Sequence, residues 1–367
     1  MDTMQNPSIV LYNTHNAKIE DKPIPSLTNP NDVLIRIAYI GVCGSDVHFW
    51  HHGGIGKSVN PNTGIVMGHE ASGTVHSVGS AVTRLQPGAR VAIEPGTPCR
   101  LCSACKAGTY HLCRQMRFAA APGPPDTQGC LSKYYVVPED MAYEIGDGVG
   151  LDEAVCVEPT AVAVHAVRLG DVRPGETVVV MGSGTIGLLV AAVTLQFGAH
   201  RVILVDILAS KLEFARSWLG VETFLADPTL SPEDDAARLL KHFSLEESGI
   251  DTTGGLVDTL LECSGAASSI NMGVHLLRPG GKYVQTGVGK AKIEFPIVAV
   301  SNKELMFRGC FRYGAGDYDL AVKLVNEGRV KVKALLSSVT RFEDATEAWE
   351  KTSRGEGIKN LIEGVRE

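Results

Sequence analysis

The chain lacks the features that mark membrane, secreted and nucleic-acid-binding proteins. No run of about 18 apolar residues occurs, so a membrane-spanning helix is not expected. Residues 1–7 contain no basic segment followed by an apolar one, so we expect no signal peptide and, by default, a cytoplasmic location. Lys and Arg (34) are outnumbered by Asp and Glu (41), and a net charge of −7 disfavours binding to a phosphate backbone. We therefore expect neither a membrane nor a nucleic acid as a partner.

Aromatic residues are also scarce, at 6% of the chain, whereas glycine is abundant, at 40 residues. This usage favours tight turns and strands that are buried on both faces, as in α/β proteins. At roughly 100–200 residues per domain, a length of 367 indicates two domains. The nine cysteines are an odd number in a chain without an evident signal peptide, which argues against a disulfide framework and favours metal ligation or free thiols.

The first part of the chain, to about residue 155, is dominated by short β-strand patterns. Val33, Ile35 and Ile37 alternate with Leu34, Arg36 and Ala38. A period of two residues is typical of a β-strand, in which successive side chains point to opposite faces. Short apolar runs at 65–67, 74–78 and 90–93 follow, separated by glycine and proline. We expect a compact β domain with irregular loops.

From about residue 155 the pattern changes to an alternation of apolar strands and helices. We expect strands at 177–181, 201–205, 257–261 and 282–286, and helices at 158–169, 186–197 and 211–219. Such alternation predicts a parallel sheet with helices on both faces. Residues 228–256 have the least regular pattern, and β-like character returns after about residue 300, followed by helices at 318–326 and 342–353.

A glycine-rich motif lies between the first of these strands and its helix. Gly182, Gly184 and Gly187 form GxGxxG, in which glycine permits a tight turn and close approach of the backbone to a pyrophosphate at the helix N-terminus. The next strand ends at Asp206, where a carboxylate would accept hydrogen bonds from both ribose hydroxyls. Because Ile207 rather than an arginine follows, we expect NAD rather than NADP. The structural alternative is that Asp206 merely caps the strand end.

Four closely spaced cysteines predict a closed metal site. Cys99, Cys102, Cys105 and Cys113 can complete a tetrahedral shell of thiolates, which leaves no position for chemistry and stabilises a short lobe. The alternatives are four reduced thiols, or a zinc ribbon that binds nucleic acid. The acidic chain argues against the ribbon.

A second, different metal site is indicated by Cys43, the pair His69–Glu70, and Glu158. A thiolate, an imidazole and a carboxylate suit zinc, and three protein ligands leave a fourth position for water or an alcohol. Each residue alone has a structural interpretation, as a core cysteine, a hydrogen-bonded histidine or an acid at a helix start. The dinucleotide motif favours the metal site, because a hydride acceptor needs an activated alcohol beside it.

With these motifs in this order, the sequence resembles the zinc-containing medium-chain dehydrogenase/reductases, within their sorbitol and xylitol dehydrogenase branch. The segments GVCGSDVH, GHE and EP, the four-cysteine lobe and GxGxxG carry the resemblance over nearly the whole chain. It implies an α/β fold with a GroES-like, β-rich catalytic domain over 1–157, which includes the metal lobe at 94–115. A Rossmann domain for NAD over 158–298 and a return to the catalytic domain over 299–367 complete the expected organisation.

The resemblance also assigns roles at the metal site. It implies that Cys43 and His69 bind a catalytic zinc with a glutamate as the third ligand, where simple alcohol dehydrogenases use cysteine. We rank Glu158 first for that position, Glu70 of the GHE segment second and Cys156 a distant third. Two zinc ions per chain are expected, one catalytic and one structural.

Further roles follow from the same resemblance. Ser45 and His48 match a path that carries the alcohol proton away, whereas His51 and His52 are taken as loop residues. The expected cofactor-binding and substrate-binding residues are Gly182, Gly184, Ile186, Gly187, Asp206, Lys211 and Val288 for NAD, and Phe49, Arg312 and Tyr313 for the substrate. Many sorbitol dehydrogenases have tyrosine at the place of Phe49, so a hydroxyl contact is lost here.

The run from Phe311 to Tyr318 looks most like the fungal xylitol dehydrogenases, which favours xylitol as substrate and D-xylulose as product. Sorbitol and L-arabinitol are the alternative polyols, and a dehydrogenase of simple alcohols is a further alternative. A catalytically idle NAD-binding protein with a structural or sensing role represents a different class. Members of this family are commonly tetramers or dimers, so we expect a homo-oligomer.

Overall fold

A computed structural model describes residues 5–246 and 257–366 of the chain. Its contacts divide the chain into two compact units. The first unit comprises Met1–Glu158 and Gly314–Glu367, and the second comprises Pro159–Tyr313. No helix formed by the described residues has the length and apolar character that a membrane crossing requires.

The N-terminal part of the first unit consists mainly of strands. They are β1 (Pro7–Asn13), β2 (Asn16–Asp21), β3 (Asp32–Gly41), β4 (Gly54–Ile55), β5 (Lys57–Ser58), β6 (Ile65–Val66), β7 (Glu70–Val78), β8 (Arg90–Ile93), β9 (Gly96–Thr97), β10 (Arg117–Phe118), β11 (Tyr134–Pro138) and β12 (Ala142–Glu144). Its helices are α1 (Gly44–His52), α2 (Ser103–Lys106) and α3 (Leu151–Ala154), with 3₁₀ turns at Tyr110–Leu112 and Glu139–Met141.

Strands and helices alternate in the second unit. The helix α4 (Val157–Leu169) leads into it from the first unit. The elements that follow are β13 (Thr177–Met181), α5 (Thr185–Gln196), β14 (Arg201–Asp206), α6 (Ala209–Leu219), β15 (Glu222–Leu225), α7 (Pro232–His242), β16 (Val257–Glu262), α8 (Ala267–Leu276), β17 (Leu277–Gln285), α9 (Ile297–Asn302) and β18 (Met306–Gly309).

The C-terminal segment returns to the first unit. It contains α10 (Asp317–Asn326), β19 (Leu336–Thr340), α11 (Ala345–Ser353) and β20 (Lys359–Glu363), with 3₁₀ turns at Val332–Leu335 and Phe342–Asp344. Because β20 pairs antiparallel with β3, it brings residues near the C-terminus beside the strand that leads to Cys43.

The largest sheet of the first unit has seven strands in the order β12-β8-β7-β3-β20-β19, with β11 also paired to β3. The predicted strand is present as β3, in which Val33, Ile35 and Ile37 are each no more than 3% exposed, but Leu34 on the opposite face is buried too, at 6%. Smaller sheets (β2-β1-β6, β10-β9 and β4-β5) complete the described part of this unit. Trp50 and Trp349 pack in its core with ring centroids 5.3 Å apart.

The second unit contains a six-stranded sheet in the order β15-β14-β13-β16-β17-β18, and every pair in it is parallel. Val178, Val179 and Val180 of β13 are fully buried, as expected for a strand covered on both faces. After β13 the chain forms β14 on one side of that strand, and it later forms β16 on the other side of β13. The carboxyl ends of β13 and β16 therefore meet at a topological switch point, where open α/β sheets bind their ligands.

Three sequence expectations differ from this structure. The return to the first unit comes at Gly314 rather than at 299, because β18 adds a sixth parallel strand to the second unit. The irregular stretch 228–256 contains α7, which Ser231 caps by accepting from the Asp234 N–H at 3.1 Å; its residues 247–256 lie outside the described part. His51 and His52 are helical, in the last turn of α1, rather than part of a loop.

Candidate functional site

The structure brings Cys43, His69 and Glu70 together within the first unit. One donor atom from each of the three lies within 4.8 Å of the others. Cys43 follows the end of β3 and forms the N-cap of α1, whereas His69 and Glu70 stand at the start of β7. Gly68, at φ +84°, allows the close approach that places them, since a Cβ there would meet Ile40 and Leu131 at 3.0 and 3.1 Å.

Two buried charges orient this set. The Asp46 carboxylate accepts a hydrogen bond from the Cys43 N–H at 2.9 Å and lies 3.7 Å from Nδ1 of His69. Lys359 of β20 donates to the Glu70 carboxylate and to the carbonyl of Val42 at 3.1 Å. Lys359 and Glu70 are both 2% exposed. Burial would make either charge costly alone, and each of the two opposite charges neutralises the other. Neither Asp46 nor Lys359 was singled out in the sequence.

The electrostatic surroundings of His69 favour positive charge at its ring. Burial alone would lower the pKa of His69, but the carboxylate of Asp46, the Cys43 side chain and the charge of Glu158 together raise that pKa well above its ordinary value. Burial raises the pKa of the neighbouring Asp46, and the charge of His69 opposes this. The centre therefore stabilises a cation, either a proton on the imidazole or a metal ion in its place.

The two glutamates differ in their positions. Glu158, in the first turn of α4, is 5% exposed, and its charge acts on His69. The three-residue donor set nevertheless contains Glu70, which the sequence ranked second. Cys156, ranked third, is fully buried, and burial raises the pKa of its thiol to about 12. Such a thiol is a poor source of thiolate.

The donor set fits zinc. Zn²⁺ takes thiolate, imidazole and carboxylate ligands, and three protein ligands are typical of zinc sites that keep a position open for a reactant. Cys43, His69 and Glu70 supply one donor of each kind. His69 is 8% and Glu70 2% exposed, and this burial strengthens the interaction between the donors and a bound cation.

The other predicted residues near this centre lie on α1. Ser45 is half-buried and His48 is exposed, and because they are three residues apart they lie on the same helix face. The His48 ring packs against His52 with centroids 4.6 Å apart. Phe49, expected to contact the substrate, is 8% exposed and packs in the hydrophobic core of the unit.

The four cysteines of the lobe also converge. One sulfur from each lies within 4.8 Å of the other three, with Cys102–Cys105 and Cys99–Cys105 separations of 3.5 and 3.9 Å. Sulfurs at the corners of a tetrahedron around zinc lie about 3.8 Å apart, given a zinc–sulfur distance of about 2.3 Å. The backbone N–H groups of Leu101 and Cys102 lower the pKa of the Cys99 thiol to about 6, which favours the thiolate. These donors fit a closed zinc site.

The glycine motif occupies the turn between β13 and α5, at the switch point of the second unit. Gly182 has φ +95°, and a Cβ on Gly187 would lie 1.8 Å from the Gly182 carbonyl oxygen. Side chains are therefore excluded from both positions. Gly184 is the N-cap of α5 and is exposed, so the first N–H groups of the helix can reach a phosphate.

Asp206 stands at the end of β14 beside this turn. Its carboxylate accepts hydrogen bonds from the Ser183 N–H at 2.7 Å and the Leu208 N–H at 2.9 Å. Asp206 therefore caps the strand end, which was the structural alternative for this residue. Its carboxylate also lies next to the glycine turn. Ile186 is half-buried in α5, Lys211 is half-buried in α6, and Val288 is 81% exposed.

A second glycine-rich loop at the switch point was missed in the sequence. A Cβ on Gly182 would lie 3.1 Å from the backbone nitrogen of Ser264, and one on Gly265 would lie 2.6 Å from the backbone of Val288. Buried Glu262 holds this loop by accepting from the N–H groups of Ser264 and Gly265 at 2.9 and 3.0 Å. The available signal was the Ser-Gly pair one residue beyond the end of the buried strand β16.

Arg312 and Tyr313 end the second unit. Arg312 adopts a left-handed backbone conformation, with φ +57°, and its guanidinium lies 4.6 Å from the centre of the Phe311 ring. Tyr313 is 2% exposed. A non-glycine residue at positive φ is uncommon and often marks a functional segment.

Comparisons with known proteins identify the family of the chain. Residues 29–147 match the alcohol dehydrogenase GroES-like domain, and residues 185–327 match the zinc-binding dehydrogenase domain. The chain is 49% identical over 366 residues to a probable D-xylulose reductase A of Neosartorya fischeri, covering 100% of this chain and 98% of that protein. It is 48% identical over 361 residues to D-xylulose reductase A of Aspergillus niger, covering 98% and 97%.

The solved structure of L-idonate 5-dehydrogenase from Escherichia coli superposes with a TM-score of 0.86 at 27% identity, covering 98% of each chain. The chain belongs to the zinc-binding dehydrogenases. It is therefore an oxidoreductase, and the expected pairing of a GroES-like domain with a Rossmann domain is confirmed. The expected resemblance to the polyol branch agrees with the names of these relatives.

For this dehydrogenase, we predict that Cys113→Ser removes one zinc ion per chain and lowers the melting temperature. Cys113 is buried beside the other three thiols, so its loss opens the shell that closes the lobe. Metal analysis of the purified protein, together with a thermal unfolding curve, measures both effects. Cys310→Ser, which alters a cysteine outside the lobe, is the matched control. Zinc content equal to that of the wild type would contradict a metal site in the lobe.

Proposed function

We propose that this dehydrogenase oxidises a secondary hydroxyl of a polyol to a ketone with NAD, and that its preferred pair is xylitol and D-xylulose. The observation that carries the proposal is the donor set Cys43, His69 and Glu70, together with the buried Glu158, which stands where simple alcohol dehydrogenases use cysteine and whose charge acts on the same imidazole. Full-length similarity to proteins named D-xylulose reductase supports the same substrate. We also propose a cytoplasmic homo-oligomer, a dimer or tetramer, with two zinc ions per chain.

In this proposal, Cys43, His69 and Glu70 hold the catalytic zinc, and the thiolates of the four-cysteine lobe hold the structural one. The catalytic zinc, when bound, supplies a Lewis acid that makes an alcohol hydroxyl more acidic. Lys359 and Asp46 fix the directions of Glu70 and His69, and Glu158 contributes negative charge beside them.

The remaining residues bind the reactants and move the proton. Ser45 hydrogen-bonds the substrate hydroxyl and relays its proton, giving up its own hydroxyl proton as it accepts the substrate's, and His48, exposed on the same helix face, would pass the proton to solvent through the cofactor ribose. The Arg312 guanidinium and the Tyr313 hydroxyl hydrogen-bond to further hydroxyls of the polyol. NAD, when bound, accepts the hydride, and the N-terminus of α5 and Asp206 bind its pyrophosphate and ribose.

We predict that Asp206→Ala raises the Kd for NADH by roughly tenfold to a hundredfold, since hydrogen bonds to a charged group are lost. The affinity for NADPH falls less or rises, because the carboxylate that repels a 2′-phosphate is gone. Asp206→Asn retains an acceptor oxygen for the neighbouring N–H groups and isolates the effect of charge. Fluorescence titration with both dinucleotides measures the change, with the exposed Asp147→Ala as control. An unchanged preference for NADH in both Asp206 variants would refute this role.

We predict that xylitol gives a higher kcat/KM than sorbitol, L-arabinitol or ethanol when NADH formation is followed with each. Arg312→Ala lowers kcat/KM for xylitol by about tenfold or more, since a charged hydrogen-bond donor is lost. Ethanol, which lacks the additional hydroxyls, serves as the internal control and loses little. Equal losses for xylitol and ethanol would argue against a polyol contact. If no alcohol is oxidised although NADH binds, the protein is an idle NAD-binding module instead.

A further inference from the structure

A second group of potential metal ligands lies at the other end of α1 from Cys43. His15 in the turn between β1 and β2, His51 in the last turn of α1 and Glu350 of α11 each place one donor atom within 4.8 Å of the other two. Eight residues separate Cys43 from His51, which corresponds to about 12 Å along a helix. The group is thus a separate site of the first unit, and the reaction proposed above makes no use of it.

The distance between the two imidazoles matches metal ligation. Nδ1 of His51 lies 3.2 Å from Nε2 of His15. Two nitrogens at about 2.0–2.1 Å from a zinc ion, at a tetrahedral angle, lie about 3.3 Å apart. The Glu350 carboxylate lies 3.8 Å from the other ring nitrogen of His15, Nδ1, and one donor atom from each of the three residues lies within 4.8 Å of the other two. The two facing imidazole nitrogens therefore stand at the separation of two ligands of one cation, and the carboxylate lies close enough to be the third.

Neighbouring groups fix the orientation of each donor. Nε2 of His51 is hydrogen-bonded to the Ser353 hydroxyl at 2.8 Å, so Nδ1 is the ring nitrogen that faces His15. The indole N–H of Trp50 donates to Oε1 of Glu350 at 2.6 Å. Outer hydrogen bonds of this kind orient the ligands of protein metal sites.

The backbone at His15 is held in an uncommon conformation. Its φ of +54° lies in the left-handed region, and its N–H donates to the carbonyl of Trp50 at 3.0 Å. Its ring packs edge-on against both Trp50 and His51, with centroids 4.8 Å apart in each case. The turn therefore presents the imidazole towards α1 at the expense of local strain.

We propose that His15, His51 and Glu350 form a surface site for a divalent transition-metal ion of the Zn²⁺, Ni²⁺ and Cu²⁺ class. Two imidazoles and one carboxylate are suitable ligands for these ions, and water completes the coordination. Without metal, one of the two facing nitrogens carries a proton and donates a hydrogen bond to the other; when the cation binds, that proton moves to the outer nitrogen of the same neutral ring, so that both facing nitrogens offer a lone pair. The bound ion links the β1–β2 turn and α11 to the helix that carries Cys43, and so stabilises the folded first unit.

The test uses the tag-free protein with its zinc content measured before and after addition of Ni²⁺. Calorimetric titration with Ni²⁺ is expected to detect one site per chain while the original zinc is retained, together with a rise in melting temperature. His15→Asn weakens this binding by at least about tenfold, as expected when a ligand is removed. Asparagine tolerates the left-handed backbone, so the turn is preserved. The exposed His200→Gln removes a histidine elsewhere and leaves the affinity unchanged.

A second measurement identifies the ligands directly. With Cu²⁺ in place of Ni²⁺, electron paramagnetic resonance is expected to show hyperfine coupling to two nitrogens, reduced to one in His15→Asn or His51→Gln. Glu350→Gln should retain both couplings but bind more weakly. The proposal would be overturned if the wild-type protein bound no Ni²⁺ beyond its original zinc. It would also be overturned if wild type, His15→Asn and His51→Gln bound Ni²⁺ with the same affinity. The three residues would then form only a hydrogen-bonded polar cluster. Both readouts are independent of dehydrogenase activity.

Discussion

The buried charges around His69 are the constraint on which the rest of the first unit depends. Asp46, Glu70 and Glu158 are no more than 5% exposed, and Lys359 is a fully buried cation among them. Burial of an unpaired charge costs several kcal/mol, so such a group persists only if cations and hydrogen bonds compensate it. A divalent metal between Cys43, His69 and a glutamate meets this requirement, and the same positive charge is what an alcohol needs for activation.

Strands from distant parts of the first unit assemble that centre. The strand β3 leads to Cys43 at the N-terminus of α1, β7 begins with Glu70 directly after His69, and β20 supplies Lys359 from near the C-terminus. Glu70 and Lys359 are 289 residues apart in sequence, so this contact also ties the returning segment to the N-terminal sheet. The second unit has the simpler task of presenting the helix N-terminus and Asp206 at the switch point of a parallel sheet.

Local signals account for what the sequence predicted well. The fold class, the glycine turn, the four-cysteine lobe and the pairing of Cys43 with His69 depend on short motifs whose chemistry is recognisable wherever they fold. The helix α7 was missed because its polar, acidic first turn resembles a loop, and only packing of residues such as Leu239 reveals its buried face. The position of β18 was missed because all four of its residues are exposed and carry no strand alternation.

Contacts between distant residues account for the remaining omissions. No spacing rule links Lys359 to Glu70 or Glu350 to His15, since only the antiparallel sheet and the packing of α11 on α1 bring them together. Which glutamate, Glu70 or Glu158, lies beside Cys43 and His69 as a metal ligand also depends on contacts between residues distant in sequence.

The most direct test of the central claim is to follow polyol oxidation while the metal is removed by dialysis against a chelator and then restored with Zn²⁺. The account predicts that kcat falls in proportion to the loss of zinc bound by Cys43 and His69, that NADH binding persists, and that Zn²⁺ restores turnover. Full activity in protein from which all metal has been removed would contradict it.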